Sequence, residues 1–383
     1  MPLFLVNYYV AFYFATYLCL VFIYYSVNGQ ESRSLTVAFC MIFILVNVIF
    51  HSFSLGFAPD KEIYQAKFEN IDNFYSIAHF GLGVGLYYLY IFLNYINFPS
   101  EHLVILHSLI INIGFFIVCL DKRLGKETFL AYFIFSMSWF FVDMSTNSIR
   151  QGISSFLFLG FIFSLFSKRK VQSVLLLVLS FLFHWSVVVP AIITYFAFWF
   201  KSLSSRNNWY AYLGLYAFLL VSIITELVSI RILIELFSAA VNLEFLSLKV
   251  NSYFNASDST YKFGIFERVS LFFELIVYCA LSLVVFYFTK NVGQSQFERM
   301  TIFIFWSIVL YATLSIGMAH AYRNFYWALC VLVVSIIPVL SRIKKSVNIK
   351  SQSYYFFICM MVMLFSSFSL WRSGLVYALY DHL

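Results

Sequence analysis

The residues best suited to chemistry are an arginine and a glutamine, Arg150 and Gln151, side by side in an otherwise apolar stretch. Five polar residues around them recur at helical spacing (i, i+3, i+4, i+7, i+8), which predicts one shared face: Asn147, Arg150, Gln151, Ser154 and Ser155. An arginine in hydrocarbon costs about 2.5–3.5 kcal/mol on insertion scales and normally faces a partner or a watery cavity. Because its planar fork of donors fits phosphate oxygens, Arg150 is predicted to bind phosphate or pyrophosphate.

A second candidate is His184, which interrupts the apolar run FLFHWSVVVP. An imidazole can donate, accept or carry a proton near neutral pH, so His184 is a candidate for proton transfer. Both residues also have purely structural interpretations. Arg150 would extend to the lipid headgroups from a helix end or pair with Asp143, and His184 would be a neutral histidine bonded to a carbonyl.

Two weaker groups of candidates lie elsewhere in the chain. In GMAHAYRNFYWA, His320, Arg323 and Trp327 share a helical face, although Arg323 would equally serve as a helix-end anchor. In the early acidic segment FAPDKEIYQAKFENID, Asp60 and Tyr64 lie one helical turn apart, and a solvated loop is the simpler interpretation. The sequence has no zinc-ligand spacing, phosphate-binding glycine loop or aspartate-rich box, so no metal site is predicted.

The elements that must position these residues are membrane helices. Of the 383 residues, 62% are hydrophobic and 11% are charged, and apolar segments of about 20 residues recur from end to end. Because the apolar runs are continuous and do not alternate, they exclude a β-barrel. Residues 1–383 are predicted to form one all-α transmembrane domain with about 12–13 crossings. The predicted spans are about 3–27, 34–57, 73–98, 103–120, 127–145, 148–167, 171–199 (two limbs), 209–227, 269–289, 300–319, 322–341 and 353–371.

Short basic loops predict how these helices are oriented. DKRLGK, SKRK and RIKKSVNIK are rich in Lys and Arg and are therefore expected in the cytoplasm. If SKRK and RIKKSVNIK lie on the same side of the membrane, an even number of crossings must separate them. Residues 171–199 are therefore predicted to form two short limbs that meet near His184, with both outer ends cytoplasmic. Arg150, His184 and Arg323 then face the periplasm, as does the long connection 228–268, whose first half is predicted to be an interfacial helix.

Two of these stretches together resemble the EpsG-like branch of the Wzy-type O-antigen and exopolysaccharide polymerases. IRQGISSFLFLGFIFSLFSKRK and LLLVLSFLFHWSVVVP carry Ile-Arg-Gln at 149–151, a basic break at 168–170, and Phe183 and His184 followed by Ser186. This central block covers about 50 residues. Weaker matches to the family pattern lie outside it, at Asp60 with Tyr64 and at Arg323 with Phe325 and Tyr326. A shared site needs Asp60 on the outer face, whereas the count of crossings places Asp60 in the cytoplasm.

The resemblance implies a multi-pass glycosyltransferase of the bacterial inner membrane with a GT-C-like helical bundle. It would polymerise undecaprenyl-pyrophosphate-linked repeat units of O-antigen or another surface polysaccharide, with inversion and without a metal or cofactor. Arg150 would act on the leaving pyrophosphate and His184 on the acceptor hydroxyl. The implied partners are the bilayer, a flippase and a chain-length regulator, and nucleic acid is not among them. The predicted substrate-binding residues are Arg150, Gln151, Asn147, Arg323, Asp60 and Tyr64.

Other functions are also compatible with the sequence. A transporter or flippase of lipid-linked sugar would place arginines in a watery cavity, but it would more often show an internal repeat and charges in both halves. A membrane O-acyltransferase also buries one histidine in an apolar helix, yet it has no evident use for the Ile-Arg-Gln stripe. A scaffold is the least favoured. The polymerase interpretation requires Arg150, His184 and Arg323 to converge in one wet chamber at the outer leaflet.

Overall fold

The computed structural model describes residues 3–27, 32–52, 60–71, 83–124, 127–199, 208–225, 264–289, 295–316, 321–346 and 351–380. Within these ranges every regular element is helical. The helices are α1 (Leu3–Val27), α2 (Arg33–Ser52), α3 (Asp60–Glu69), α4 (Val84–Tyr95), α5 (Leu103–Cys119), α6 (Thr128–Met137), α7 (Trp139–Thr146), α8 (Ile149–Phe166), α9 (Lys170–Phe183), α10 (Val188–Trp199), α11 (Trp209–Thr225), α12 (Ile265–Leu271), α13 (Phe273–Thr289), α14 (Gln296–Leu314), α15 (Asn324–Ser346) and α16 (Ser351–Tyr380). Short 3-10 turns lie at Ser100–His102, Lys122–Leu124, Trp185–Val187 and Ala321–Arg323.

Six of these helices (α1, α2, α5, α8, α14 and α15) are long and apolar enough to cross a membrane. The pair α6 and α7 would make a seventh span, but it is bent by 71°. The predicted single span at 127–145 is therefore broken, at Ser138. The sequence prediction of an all-α, polytopic membrane protein is confirmed. The number of crossings stays a prediction, because further apolar helices, among them α9, α10, α11 and α13, have only 12–17 residues.

The chain divides into two compact units, one made of residues 1–191 and 340–383 and the other of residues 192–339. In the first unit, α8 and α9 form a hairpin, α5 packs against α2, α6, α7 and α8, and α16 packs along α1. In the second unit, α11 packs against α12, α13 and α14. There Arg268 donates to the carbonyls of Ile223 and Ile224, at 3.0 and 2.9 Å, which satisfies the C-terminal end of α11.

Two glycines allow α5, α7 and α8 to approach one another closely. A Cβ at Gly114 would lie 2.4 Å from the Phe156 ring, and one at Gly152 would lie 2.9 Å from the Met144 carbonyl. Small residues have this role in many membrane helix contacts, because they let backbones come together.

The packed helices α5 and α8 finish at the same end of the first unit, because Arg123 after α5 donates to the Ser167 hydroxyl after α8. We call this the basic end, since Lys168 and Arg169 lie there too. The opposite end, at which α5 and α8 begin, is called the far end. Candidate residues near the start of α5 or α8 therefore lie at the far end.

Residues 73–82 of the predicted span at 73–98 lie outside the described residues. The described part contains helix α4, which does not cross the membrane. It has 12 residues, about 18 Å of helix against a hydrocarbon core of about 30 Å. Both of its ends belong to the far end. Gly83, just before α4, lies beside Arg150 at the start of α8. Ser100, just after α4, opens the short turn that leads directly into α5.

The predicted break within 171–199 is present. α9 ends at Phe183, His184 is extended with φ −149° and ψ 107°, and α10 begins at Val188 after one 3-10 turn. That α10 returns to the cytoplasmic side stays a prediction. The connection 228–268 lies outside the described residues, except for 264–268 at the start of α12.

Candidate active site

The junction between α7 and α8 is organised by one buried carboxylate, that of Asp143. Its two oxygens accept hydrogen bonds from the Asn147 amide (3.0 Å) and the Ser148 hydroxyl (2.7 Å). Its carbonyl accepts the backbone N–H groups of the same two residues, at 2.8 and 2.7 Å. Asn147 therefore lies in the turn, with φ −121°, because the helix begins only at Ile149. The prediction that Asn147 shares a helical face with Arg150 is wrong, although it lies within the same junction.

Asn147 also ties α3 to this junction. Its Oδ1 accepts the backbone N–H of Asp60, the first residue of α3, at 3.0 Å. Asp60 is therefore at the far end with Arg150, and its predicted cytoplasmic placement, opposite Arg150, is wrong because α4 does not cross. One turn later, Tyr64 is buried with its ring 6.1 Å from that of His107. The structure thus places Asp60 and Tyr64 at the same end of the first unit as the Ile-Arg-Gln motif at 149–151.

The last turn of α3 is fastened by its exposed carboxylate, Glu69. The Ser100 hydroxyl donates to Glu69 at 2.7 Å and the Gln65 amide donates at 3.0 Å. These hydrogen bonds, the Ser100 bond first, lower the pKa of the Glu69 carboxyl. They hold α3 against the turn that precedes α5.

Arg150 lies in the first turn of α8, beside the end of α9. Its Nη1 atom is 4.0 Å from the point that a Cβ on Gly83 would occupy, and the carbonyls of Leu182 and Phe183 are 3.7 and 3.5 Å from the same point. Gly83 has φ +97°, a conformation that a glycine adopts at little cost. The last carbonyls of α9 form the negative end of a helix dipole and favour a cation nearby. Arg150 thus belongs to a contact of α4, α8 and α9, which argues against simple extension to the headgroups.

His184 directly follows the carbonyls that lie near Arg150. Its backbone N–H donates to Ser180 at 3.0 Å, and its ring Nδ1 lies 2.7 Å from the Ser186 hydroxyl. Arg150 and His184 are therefore at the same end of the α8–α9 hairpin, as the parity of crossings predicts. The Ser186 hydroxyl is thus one partner of the His184 ring.

Not all of the polar stripe on α8 lies toward this site. The Ser154 hydroxyl is 2.7 Å from both the hydroxyl and the carbonyl of Ser180, and the Ser180 hydroxyl donates back to the Ser154 carbonyl at 2.8 Å. These reciprocal bonds fasten α8 to α9 within the hairpin. Ser154 is therefore explained by helix packing. Gln151 is buried one position after Arg150.

Sequence reasoning missed Tyr90 and His107. Tyr90 lies on the buried face of α4, and its hydroxyl is 3.4 Å from His107 Nε2 on α5, with the two rings stacked. Arg150 and Tyr64 are both close enough to interact electrostatically with Tyr90. No local signal could have found this pair, because YYLYIFL looks like part of an ordinary apolar span.

A ladder of buried polar side chains runs inward from the far end. His51 Nδ1 lies 2.7 Å from the Ser108 hydroxyl, and the Asn112 amide donates to the same hydroxyl at 3.2 Å. Asn112 Oδ1 in turn accepts from Asn47 at 3.0 Å and from Tyr132 at 2.6 Å. These bonds join α2, α5 and α6, so they give the polar residues of these spans a packing role.

The late candidates belong to the second unit. Arg323 ends the turn Ala321–Arg323, and its guanidinium lies 5.7 Å from the Tyr322 ring centre. Trp327 is fully buried in the first turns of α15. His320 lies outside the described residues. The convergence of Arg323 with Arg150 and His184 stays a prediction.

Among the described residues, no group of three or more His, Cys, Asp and Glu side chains is placed to hold a metal ion. The far end of the first unit holds the Arg150 guanidinium, the His184 ring, Tyr64, Tyr90 and Asp60, which begins α3. This set can bind an anion, orient hydroxyls and accept a proton, which are the requirements of a group transfer from a phosphate leaving group.

The model of the EpsG family matches residues 37–381, about nine tenths of the chain, and it confirms the resemblance found in the sequence. No curated protein and no solved structure matches the chain.

Proposed function

Because the chain belongs to the EpsG family, a family of Wzy-like polysaccharide polymerases, we propose that it polymerises undecaprenyl-pyrophosphate-linked repeat units of O-antigen or another surface polysaccharide. The growing glycan moves from its lipid carrier onto the terminal sugar of a new unit, at the outer face of the bacterial inner membrane. The observation that carries this proposal is the position of Arg150 and His184 at one end of the α8–α9 hairpin, around Gly83 and Phe183.

The reaction breaks the bond between the donor sugar's anomeric carbon and the pyrophosphate oxygen. The acceptor hydroxyl attacks from the opposite side, so the anomeric centre is inverted. The pyrophosphate leaves with the bonding electron pair, and the Arg150 fork stabilises its developing charge. The acceptor proton passes to the His184 imidazole, whose Nδ1 is held by Ser186. In this proposal no metal takes part in the step.

The surrounding residues have supporting parts in the proposal. Asp60 and Tyr64 orient the acceptor sugar, and Asn147 fixes the start of α3 that carries them. Gln151 donates to the substrate beside Arg150. A flippase and a chain-length regulator are the proposed protein partners.

The test is the length distribution of surface glycan. Arg150→Ala and His184→Ala should each give glycan capped with a single repeat unit at normal protein level. Matched controls are Arg169→Ala and His102→Ala, which change exposed residues of the same types and should give full-length ladders. Full-length ladders in both site variants would reject the proposal. Accumulation of cytoplasm-facing lipid-linked units would favour a flippase instead.

A further inference from the structure

Two short helices at the far end of the first unit expose different kinds of side chain. Helix α3 exposes the carboxylates of Glu62 and Glu69, which are costly to place in hydrocarbon and therefore face water. Helix α4 exposes aromatic rings instead, because Tyr88, Phe92 and Tyr95 are 58%, 58% and 84% exposed. Such an apolar face on a membrane protein contacts lipid, and tyrosine is enriched at the membrane surface. The boundary between water and hydrocarbon therefore lies between the exposed faces of α3 and α4.

Helix α4 is apolar on both of its faces. Residues 84–96 contain no Asp, Glu, Lys or Arg, and the face opposite the exposed rings is buried in the protein through Leu86, Tyr90 and Leu93. Because the helix stays at the far end, its exposed face meets the hydrocarbon close to the membrane surface. The helix thus lies between the protein on one side and lipid on the other.

Helix α9 continues this lipid-facing surface. It packs against α4, and a Cβ on Gly85 of α4 would lie 3.0 Å from the Phe183 ring at the end of α9. Apolar side chains along α9 are exposed as well, namely Val171, Val174, Val178 and Phe181. Since α9 belongs to the helical bundle of a multi-pass membrane protein, these side chains contact hydrocarbon. The exposed faces of α4 and α9 therefore lie side by side, and we call them together the lipid face.

The lipid face begins beside Arg150. Gly83 directly precedes α4, and the point that a Cβ on Gly83 would occupy is 4.0 Å from Arg150 Nη1 and 3.5 Å from the Phe183 carbonyl. The start of α4, the end of α9 and a guanidinium thus meet at one place. A molecule with an anionic head on an apolar chain fits this arrangement, because the guanidinium donates to the head while the chain stays in hydrocarbon.

We propose that the lipid face of α4 and α9 holds the isoprenoid chain of the substrate while the pyrophosphate is bound at Arg150. This inference rests on the proposed function and deepens it, since it names the surface that the lipid carrier occupies. Ordinary lipid tails are as apolar as the isoprenoid chain, so the apolar contact alone does not select it. The chain is held there because it is covalently joined to the anchored pyrophosphate, which raises its local concentration.

The test is photo-crosslinking of the full-length protein in phospholipid nanodiscs, with undecaprenyl pyrophosphate as the probe. Phe92→benzoyl-phenylalanine places a photoreactive group on the exposed face of α4. The matched control is Phe12→benzoyl-phenylalanine on α1, because Phe12 is 69% exposed. Phe12 also lies toward the far end, since its ring is 5.7 Å from that of Phe50, and the next residue, His51, contacts Ser108 near the start of α5.

The expected result is a difference in the adducts that the two positions form, measured by mass spectrometry of the labelled peptides. Position 92 should give about tenfold or more undecaprenyl pyrophosphate adduct than position 12, because only there is the chain held by its anchor. Position 12 should give mainly phospholipid adducts. Tyr88→benzoyl-phenylalanine repeats the test on the same face of α4. Equal yields of undecaprenyl pyrophosphate adduct at positions 88, 92 and 12 would overturn the proposal, and α4 would then face ordinary bilayer lipid.

Arg150→Lys separates failure of this inference from failure of the proposed function. Combined with the Phe92 change, it should remove most of the undecaprenyl pyrophosphate adduct, and strong labelling that persists would overturn the anchoring at Arg150 and both proposals with it. If position 92 is labelled no more than position 12 while Arg150→Lys still weakens binding of undecaprenyl pyrophosphate, only the place of the chain is rejected.

Discussion

The two ends of helix α8 each have an arginine, in contrasting surroundings. At the basic end, Arg123 donates to both carboxylate oxygens of Asp121, at 3.0 and 2.9 Å, and lies 5.6 Å from the Phe163 ring centre. Its charge is matched by a carboxylate two residues away. At the far end, Arg150 lies beside Gly83, close to the last carbonyls of α9.

Burial and charge alone therefore do not identify a functional arginine. Arg123 closes a turn and fastens it to the end of α8, so its contacts account for it as a structural residue. Arg150 instead lies close to the last carbonyls of α9, which favour a cation, and we propose that it also binds an anion. On the proposed function, that anion is the pyrophosphate of the substrate.

The largest expected effect comes from exchanging each arginine for lysine. Arg150→Lys should reduce polymer synthesis by about 100-fold, because an ammonium cannot reproduce the bidentate fork. Arg123→Lys should leave full-length ladders and lower the stability by about 1 kcal/mol, as expected for a partly exposed ion pair. Ladder analysis and melting temperature of the purified proteins measure the two outcomes. Similar ladders from both variants would remove the contrast between the two ends of α8.

A smaller effect is expected at Gly83, which separates Arg150 from the end of α9. Gly83→Ala forces an alanine into φ +97°, at a cost of about 1–3 kcal/mol, and displaces α4. Polymer synthesis should fall by about tenfold. Gly214→Ala is the control, since a Cβ there meets nothing within 4 Å and favours the helix slightly. Unchanged activity in Gly83→Ala would show that the approach of α4 is unimportant.

The smallest effect on activity is expected at Asn147, whose amide holds Asp143 and Asp60. Asn147→Ala should lower the stability by about 1–3 kcal/mol, because two buried groups lose their partner. Activity per folded molecule should fall only a few-fold. Asn70→Ala, at the exposed end of α3, should change neither property. A large loss of activity at unchanged stability would instead mean that Asn147 contacts the substrate directly.

The local sequence was enough for the membrane class, the break at His184 and the sidedness shared by Arg150 and His184. Each of these depends on features within one segment or on its flanking charges, namely apolar length, a polar interruption and basic loops. The family resemblance also came from one contiguous block and was confirmed over most of the chain.

Only the tertiary structure decided where α4 lies. Residues 73–98 have the length and composition of a membrane crossing. Hydropathy, however, records only the affinity of a segment for hydrocarbon, and not the direction in which the segment runs. The contacts of Gly83 and Ser100 with helices distant in the chain show that α4 stays at one end. This moved Asp60 to the side of Arg150 and brought Tyr90 to His107. Hydrogen bonds between separate helices depend on how the helices pack, and the spacing within any one of them does not specify that.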